Sequence, residues 1–565
     1  MKYIRQLIFN LINDISQQLY KGSIYDDGRQ RSLVGRDIIK LTLPRLEMVS
    51  KFAMPWNYIC HYLPTDVDEI VFKERQRAIT QYCHHRNATL DTLVHLLEWS
   101  PTVQIEWHYL KNSGCDISNQ EILEYLIKRC SVAVAGDSND FLVWAMNSAC
   151  LNGYLEIVKL LHSSFNGLKI DKTTMDRASR VSIDIVKYLH DNRTEGCSHN
   201  AMDNASRNGR LDIVKFLHSN RTEGASKNAL VWASENGHIE IVKFLSEHRT
   251  EGAANKAMDL AAQNGHIDVV KYLSEYRREG ASTNAIDWAS QNGHIEIVKF
   301  LSEHRSEGAT TNAMDGAAKN GRIEIVKYLS EHRSEGAKTL AMNMAAQNGH
   351  IEMVKYLHFN RSEGATTSAI DWAAGNGHIE IVKFLSEHRS EGASTKAVDW
   401  AAQNGRIEIV KYLSEHRSEG ATTNAMDLAA QNGHIEVVKY LSEHRSEGAT
   451  TNAMDWAAQN GHIEIVEFLY EHRSEGATTK AMDLAAQNGH IEMVKYLSEH
   501  RSEGATTNAM DMAAQNGHFE MVKYLSERRS EGATTNAMDG AAKNGHIEIV
   551  KYLSEHRSVV TIPHL

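Results

Sequence analysis

The sequence has few prolines, and nearly all of them lie in its first fifth. Four of the five lie between Pro44 and Pro101 and the last is Pro563, so a stretch of more than 450 residues contains none. Since proline interrupts helices more strongly than any other residue, this stretch is free to be helical throughout. With 42% hydrophobic and 24% charged residues, the chain is otherwise ordinary for a folded globular protein.

Cysteine is also scarce, and none follows Cys197. The six cysteines occur singly, without any Cys-x-x-Cys spacing. A long secreted chain stapled by disulfides would not leave its larger part without one, so we expect reduced thiols and an intracellular location, cytoplasmic or, in the alternative, nuclear. Near the N-terminus, the apolar residues from Ile4 to Leu19 have helical spacing but are interrupted by Asn10 and Asp14. They predict an amphipathic helix, with an organelle-targeting or membrane-surface helix as the alternative.

An excess of positive charge is absent as well. Residues 1–138 hold 16 basic and 16 acidic residues, so the remainder, with 45 basic and 56 acidic residues, carries the whole formal net charge of −11. An acidic surface repels phosphate backbones and anionic lipids. We therefore expect neither a nucleic acid nor a membrane as partner.

What the chain has in abundance is repetition. An Asn-Gly pair recurs every 28 residues, with one interval of 56 in which Ile185-Val186-Lys187 keeps the register. The pairs begin at residues 152, 208, 236, 264, 292, 320, 348, 376, 404, 432, 460, 488, 516 and 544. This makes 15 units, and a fixed period of 20–50 residues indicates a solenoid. We predict a helical N-terminal or capping domain over 1–138 that includes degenerate repeats in one interpretation, a repeat array over 139–558 and a tail over 559–565.

The unit from Thr423 to Ala449 predicts two short helices. In the first, Asn424 and Asp427 are spaced like a capping pair, and Met426, Ala429 and Ala430 form an apolar side. Gly433 is suited to end this helix with a positive φ.

The second helix of the same unit begins near His434. It is expected to bury Ile435, Val438 and Leu441, with Lys439 and Glu443 as an exposed pair. Neither helix is long enough to be stable alone, so each pair must be held by its neighbours.

These residues resemble the ankyrin repeat. The family's helix-turn-helix signature is similar to Asn312 to Ala318 and, almost letter for letter, to Gly293 to Leu301. The period of 28 is shorter than the family's 33, which implies a short Ser-Glu-Gly-Ala turn in place of the projecting β-hairpin. The units most resemble large multi-repeat ankyrin proteins of amoebae. The resemblance implies an all-α solenoid of about 15 stacked repeats, with little or no β-hairpin, preceded by a helical domain.

The N-terminal domain has two stretches with helical periodicity, Leu90 to Leu97 and Ile122 to Ile127. Because the end of an array exposes an apolar face, a capping role is the simplest interpretation. In the alternative, Leu43-Pro44-Arg45-Leu46 resembles the start of an F-box, which would make this domain an adaptor to a ubiquitin ligase.

No catalytic, cofactor or metal site is expected. Nucleotide-binding, hydrolase and zinc-protease motifs are absent, and the histidine after the glycine is replaced by arginine at 210, 322 and 406. A zinc ligand would not be exchanged for arginine. Cys83-His84-His85 is a cluster without a second half-site.

Two positions of the first helix vary most from unit to unit. They predict partner-binding residues, which are Trp232, Trp288, Trp372, Trp400, Trp456, Lys256, Lys396 and Lys480. In one interpretation the tryptophans fill gaps between units, and in the other they are half-exposed anchors. The ankyrin resemblance implies that the first helices line the inner surface of the array.

The sequence therefore predicts a non-enzymatic, monomeric scaffold or adaptor that binds proteins through its inner surface. The alternatives are a substrate adaptor of a ubiquitin ligase and a mechanical spacer in which length alone matters.

Overall fold

The computed structural model describes residues 46–556 except 62, 65, 84, 86, 106–118, 131–137, 166, 251–253, 278–279 and 503. Helices and turns make up these residues, and no β-strand occurs among them. They fall into two compact units that divide between Ala253 and Ala254. The expected all-α fold without a β-hairpin is confirmed over this part of the chain.

The first unit begins with short helices that precede the repeats. These are α1 (Glu47–Phe52), α2 (Trp56–Ile59), a 3-10 turn (Val67–Glu69), α3 (Phe72–Tyr82), α4 (Leu90–Trp99) and α5 (Gln120–Cys130). Helix α4 buries Leu93, Leu96 and Leu97, and α5 packs on α4 and on both helices of the first repeat. The two helices expected from periodicity are thus present. The predicted amphipathic helix over 4–19 and the F-box-like residues 43–45 lie outside the described residues.

Four helix pairs complete the first unit. Pairs 1 to 4 are Ser138–Asn152 with Leu155–Ser164, Lys172–Ala178 with Ile183–Asn192, His199–Arg207 with Leu211–Asn220, and Lys227–Glu235 with Ile239–His248.

Eleven more pairs form the second unit. Pairs 5 to 15 are Ala254–Gln263 with Ile267–Tyr276, Thr283–Asn292 with Ile295–His304, Thr311–Lys319 with Ile323–His332, Thr339–Gln347 with Ile351–Asn360, Ser368–Asn376 with Ile379–His388, Lys396–Gln403 with Ile407–His416, Thr423–Gln431 with Ile435–His444, Thr451–Gln459 with Ile463–His472, Thr479–Gln487 with Ile491–His500, Thr507–Gln515 with Phe519–Arg528, and Thr535–Lys543 with Ile547–His556. The 15 helix pairs correspond to the 15 units counted in the sequence.

Pair 11 shows why this sequence forms a tight helical hairpin. Met426, Ala429 and Ala430 of its first helix are fully buried, as predicted. Gly433 turns the chain with a φ of 81°, which costs glycine nothing but strains any residue with a side chain. The second helix then starts at Ile435 and folds back on the first.

The burial pattern of the second helix differs from the prediction in one respect. Val437, Val438 and Leu441 are buried, whereas Ile435 is only half-buried because it lies at the helix start beside the turn. Val437 was missed because the spacing of Ile435, Val438 and Leu441 already accounted for one helical stripe. The buried stripe is therefore rotated by part of a turn towards Val437.

One polar assignment made from the single unit is wrong. The cap of the first helix is Thr422, whose hydroxyl accepts from the Asn424 N–H at 3.2 Å, and Asp427 is buried against the next pair instead of capping its own helix. Lys439 and Glu443 are both exposed, as expected. In some other pairs the lysine at this position contacts the glutamate one turn earlier, as Lys327 does with Glu324 at 2.9 Å.

Alanine-rich first helices determine how neighbouring pairs stack within a unit. The first helices of successive pairs pack closely on each other, while the second helices of the same pairs touch much less. Small side chains such as Ala429 and Ala430 allow this approach, since interaxial distance depends on the side chains at the contact. Within each unit, the first-helix side is therefore the more tightly packed one.

Candidate functional site

Each first helix of the second unit has three positions on the side away from its buried alanines, and all of these except Gly375 are exposed or half-buried. They lie three residues before, one residue after and four residues after the position of Asp427, and we name them the front, apolar and rear columns. In pair 10 they are Lys396, Trp400 and Gln403. Because spacings of four and three residues follow one side of a helix, the three columns form one surface, which we call the first-helix face.

The apolar column contains the predicted tryptophans of the second unit. Trp288, Trp372, Trp400 and Trp456 are all half-buried, as is Trp232 at the same position in the first unit. The indole thus packs with part of its surface and presents the rest. Half-buried indoles agree with both interpretations of the sequence, and recognition by these tryptophans stays a prediction.

Neighbouring pairs touch through the apolar and rear columns. A Cβ added to Gly316 would lie 3.1 Å from the Cβ of Gln291 in the preceding pair, which shows how closely the two columns meet. At Gly375, the rear-column glycine of pair 9, the same construction gives 3.1 Å to the Cβ of Trp400. Since Gly375 is buried, the indole of Trp400 lies over it.

The three predicted lysines lie in the front column. Lys256, Lys396 and Lys480 are all exposed. Lys396 places its Nζ 5.7 Å from the ring centroid of Trp400, one turn along the same helix. Cations also lie near the tryptophan of the first unit, where the guanidinium of Arg207 is 5.3 Å from the ring centroid of Trp232. Contacts of this kind favour an ordered indole.

A buried carboxylate holds the helices of this face in register. Asp427 is 1% exposed, and its two oxygens accept from the backbone N–H and hydroxyl of Thr450, 23 residues later, at 2.8 and 2.6 Å. The same hydroxyl caps the next first helix by accepting from the Asn452 N–H at 3.1 Å. Burial raises the pKa of Asp427, and the bonds from Thr450 oppose that rise. Each carboxylate therefore positions the start of the following helix.

The arrangement has two natural variants that show its chemistry. Asn343 replaces the aspartate in pair 8, and its amide donates to the Thr366 hydroxyl at 2.8 Å while its carbonyl accepts from the Thr366 N–H at 3.0 Å. Lys338 replaces the capping residue in the same pair, which leaves the Oδ2 of Asp315 buried without a partner. A hydroxyl at that position is thus needed to satisfy the carboxylate fully.

The asparagine of the recurring Asn-Gly supplies a second link. The Asn432 amide donates to the Gln403 backbone carbonyl of the preceding pair at 2.9 Å, and the same bond recurs along the second unit. In the first unit, Asn236 instead bonds to its own helix at the Trp232 carbonyl. The link satisfies a carbonyl that the end of a helix leaves without an intrahelical partner.

The turn between pairs carries the third link. Glu335 accepts from the Arg333 guanidinium two residues earlier and from the Ala309 N–H of the preceding turn, the latter at 3.1 Å. The hydrogen bond from Arg333 lowers the pKa of Glu335 to about 2 although partial burial opposes it. The expected Ser-Glu-Gly-Ala turn is therefore a connector between pairs.

Sequence reasoning missed all three links because each joins residues 23 to 29 positions apart. A signal was available in the period itself, since an aspartate is followed 23 residues later by serine or threonine in most units. Within a single unit, the serine or threonine and the aspartate belong to the same first helix, so the bond between neighbouring units is not apparent.

The histidines that invited a metal hypothesis also lie between pairs. The Nε2 of His462 is 3.1 Å from the Gln431 carbonyl, and a Cβ added to Gly433 would lie 2.7 Å from the same ring. Arg406 occupies the equivalent position against Gly377. Burial lowers the pKa of His434, which favours the neutral ring. These side chains fill the space between one turn and the next.

Other candidate chemistry is accounted for by packing. Burial raises the pKa of the Cys83 and Cys150 thiols to about 12, which makes both poor metal ligands and nucleophiles at neutral pH. No group of three or more His, Cys, Asp or Glu side chains that could hold a metal lies within the described ranges. Among those same ranges, no helix combines the length and the apolar character that crossing a membrane requires.

Charge is distributed unevenly between the two sides of the second unit. None of its front, apolar and rear positions is acidic, and five of them are lysines, namely Lys256, Lys319, Lys396, Lys480 and Lys543. The only aspartates of these helices are those at the Asp427 position, which face inwards in most pairs. The glutamates lie mainly on the second helices and turns, so a net acidic chain has a neutral to basic first-helix face.

Comparison with known proteins identifies the repeat. A family model described as Ankyrin repeats (3 copies) matches residues 202–287, 260–343, 342–427, 400–483, 456–539 and 482–563, which together cover well over half of the chain. No curated protein matches this chain. Among solved structures, the chain is similar to a pentatricopeptide repeat protein from maize, with 10% identity and a TM-score of 0.30 over 98% of this chain and 93% of that one. A TM-score this low supports no inference about fold or function. The family match, the helix pairs and the 28-residue period together show that the chain belongs to the ankyrin-repeat family.

Proposed function

We propose that this protein is a non-enzymatic scaffold that binds partner proteins along the first-helix face. Ankyrin repeats generally mediate protein–protein interaction. The observation that carries the proposal is where the sequence varies. The front and apolar columns change from pair to pair, while the buried alanines and the residues of the three links recur almost unaltered.

The variable positions have the character of a recognition surface. They are exposed or half-buried, they include four tryptophans in the second unit, and side chains of this type are enriched at binding hot spots. Regular spacing also allows many weak contacts to add, since linked contacts gain avidity. We further propose that the protein acts as a cytoplasmic monomer and that residues before the repeats cap the array.

The natural repeats provide substitutions that test this proposal without damaging the fold. Leucine occupies the apolar column at Leu428 and Leu484, and asparagine occupies the front column at Asn424. A face variant therefore changes the tryptophans at 288, 372, 400 and 456 to leucine and the lysines at 256, 396 and 480 to asparagine. A matched control changes the second-helix lysines at 271, 299 and 439 to asparagine.

Immobilised protein, face variant and control are compared by quantitative mass spectrometry of what each captures from a cell extract. Loss of the same captured proteins by the face variant but not by the control supports the proposal, provided that both variants keep the wild-type circular dichroism. Equal capture by all three contradicts it. If cells that carry either the face variant or a protein without pairs 11 and 12 behave like cells with the native protein, a spacer role is favoured. If capture depends on the residues before the repeats, and the captured proteins include ubiquitin-ligase subunits, the adaptor alternative is favoured.

A further inference from the structure

The three columns of the second unit form a surface with a defined width and period. Along one helix, the front and apolar columns are four residues apart and the apolar and rear columns three, which is about 6 and 4.5 Å at 1.5 Å per residue. Across the array, each column repeats at the spacing of packed helices, about 8–10 Å. A ligand that runs along the array must therefore present equivalent groups at that interval.

We infer that the first-helix face of the second unit binds an acidic polypeptide segment in the polyproline II conformation, with an apolar residue at every third position over the apolar column. This inference rests on the proposed function and names the chemistry of the partner. It follows from the period, the unused polar groups, the charge and the tryptophans of the face.

The period selects the conformation of the ligand. A polyproline II helix has three residues per turn and rises about 3.1 Å per residue, so every third residue returns to the same side after about 9 Å. An extended strand covers a similar distance in three residues, but its side chains alternate, so every third residue faces the opposite way. An α-helix needs about six residues for 9 Å, which is not a whole number of turns. Only the first of these keeps constant register with the columns.

The polar groups of the face suit such a backbone. The side-chain amides of Asn424 in the front column and Gln431 in the rear column make no hydrogen bond within the described part of the chain. Asparagine occupies six of the eleven front positions of the second unit, and glutamine occupies eight of the eleven rear positions. A polyproline II segment has no internal hydrogen bonds and needs external donors and acceptors. The amides that lie on either side of the apolar column at many of these positions supply them.

Charge complementarity selects an acidic ligand. The face has five lysines and no carboxylate, whereas the second helices carry exposed acidic residues such as Glu436 and Glu443. Lys396 lies over the edge of the apolar column, 5.7 Å from the Trp400 ring centroid. A carboxylate next to an apolar ligand residue would therefore meet an ammonium group next to an indole.

The strongest contact is expected at pairs 9 and 10. These are the only successive pairs of the second unit with tryptophan in both apolar positions, Trp372 and Trp400. Gly375 stands between them where most pairs have glutamine, and the Trp400 indole lies over it. Aromatic-lined surfaces are a recurring way to bind polyproline II segments. Two neighbouring indoles with Lys396 beside them form such a surface.

The test measures binding of labelled synthetic peptides to the full chain by fluorescence anisotropy. The first peptide repeats Leu-Pro-Glu six times, which spans about 56 Å at 3.1 Å per residue. The second has the same composition, but its leucines are alternately two and four residues apart, so they do not fall on one side of the polyproline II helix. The third has lysine in place of glutamate, and the fourth probe is oligouridine. The protein variants are Trp372→Leu with Trp400→Leu, Lys396→Asn with Lys480→Asn, and the control Lys439→Asn.

The inference predicts that the first peptide binds at least tenfold more tightly than the other three probes. Both face variants should weaken it at least fivefold, while Lys439→Asn changes it by less than twofold. Equal binding of the two glutamate peptides, preference for oligouridine, absence of binding, or an equal effect of the control would overturn the inference. If none of the peptides binds but captured proteins are still lost by the face variant described above, the proposed function stands and the inferred chemistry of the partner is wrong. Failure of both experiments removes the proposed function as well.

Discussion

The carboxylate of Asp427 gives the sharpest test of how neighbouring pairs are held together. Replacing it with alanine removes the acceptor of the Thr450 N–H and loosens the hydroxyl that caps the next helix. A buried donor left without a partner costs about 1–3 kcal/mol. Losing the desolvation cost of the carboxylate, which raises its pKa, offsets part of this. We expect a net local loss of about 1–3 kcal/mol, with the effect confined to pairs 11 and 12.

Hydrogen exchange read by mass spectrometry measures this loss where it occurs. Val437 in pair 11 and Glu467 in pair 12 give these pairs peptide masses that the other repeats do not share. A loss of about 1–3 kcal/mol corresponds to about 5- to 150-fold faster exchange, since 1.4 kcal/mol is a factor of ten. Asp427→Asn should change exchange by less than about threefold, because Asn343 makes both bonds to Thr366 in the native protein.

The controls decide whether the reasoning about Asp427 is right. Glu436→Ala removes an exposed carboxylate from the same pair and should leave exchange nearly unchanged. If Asp427→Ala exchanges no faster than Asp427→Asn, or if Glu436→Ala has the same effect, the buried carboxylate does not link the pairs. Faster exchange spread evenly over all pairs would contradict the local character of the link.

Three further substitutions test the packing at the turn, the glutamate link and the carboxylate link at a second pair. Gly405→Ala should destabilise its pair more than Gly545→Ala, because both glycines have positive φ but only at Gly405 would a Cβ meet a neighbouring ring, at 2.6 Å; equal melting shifts would refute this. Because its pKa is lowered from 4.5 to about 2, Glu335 contributes stability that is present above pH 4.5 and is lost as the pH falls towards 2. Glu335→Gln should therefore be less stable than the native protein at pH 7. Its stability, measured by hydrogen exchange corrected for intrinsic rates, should also depend less on pH between 4.5 and 2. Lys338→Thr should give the unpaired oxygen of Asp315 a donor and slow local exchange about two- to fivefold, an effect of about 0.5–1 kcal/mol; faster exchange would show that the hydroxyl is not what the carboxylate lacks.

The sequence was sufficient for most of what depends on one helix pair. The period, the two helices, the buried Met426 and alanines, and the turn at Gly433 follow from local spacing and backbone geometry. Two local details also differ, since Thr422 is the cap and Ile435 is only half-buried. The larger failures depend on contacts with the next pair. Asp427 was assigned to its own helix because its partner Thr450 lies 23 residues away, and Val437 was missed because its burial depends on how neighbouring pairs pack.

The candidate binding residues were predictable as positions, and their roles remain a proposal. Variation between nearly identical units marked the front and apolar columns, and the structure places these side chains on one face. Sequence alone could not show that Trp400 covers Gly375 or that the face of an acidic protein lacks carboxylates. Both facts need the helical register that packing provides.

The central claim is that each helix pair is held by its neighbours and has no sufficient core of its own. The most direct test is circular dichroism and thermal unfolding of arrays cut from the second unit that contain one, two, four and six successive pairs. The account predicts that one pair is largely unfolded at 25 °C and that stability rises with every pair added, since each addition supplies another interface. A single 28-residue pair that folds cooperatively by itself, or arrays whose stability does not depend on length, would contradict it.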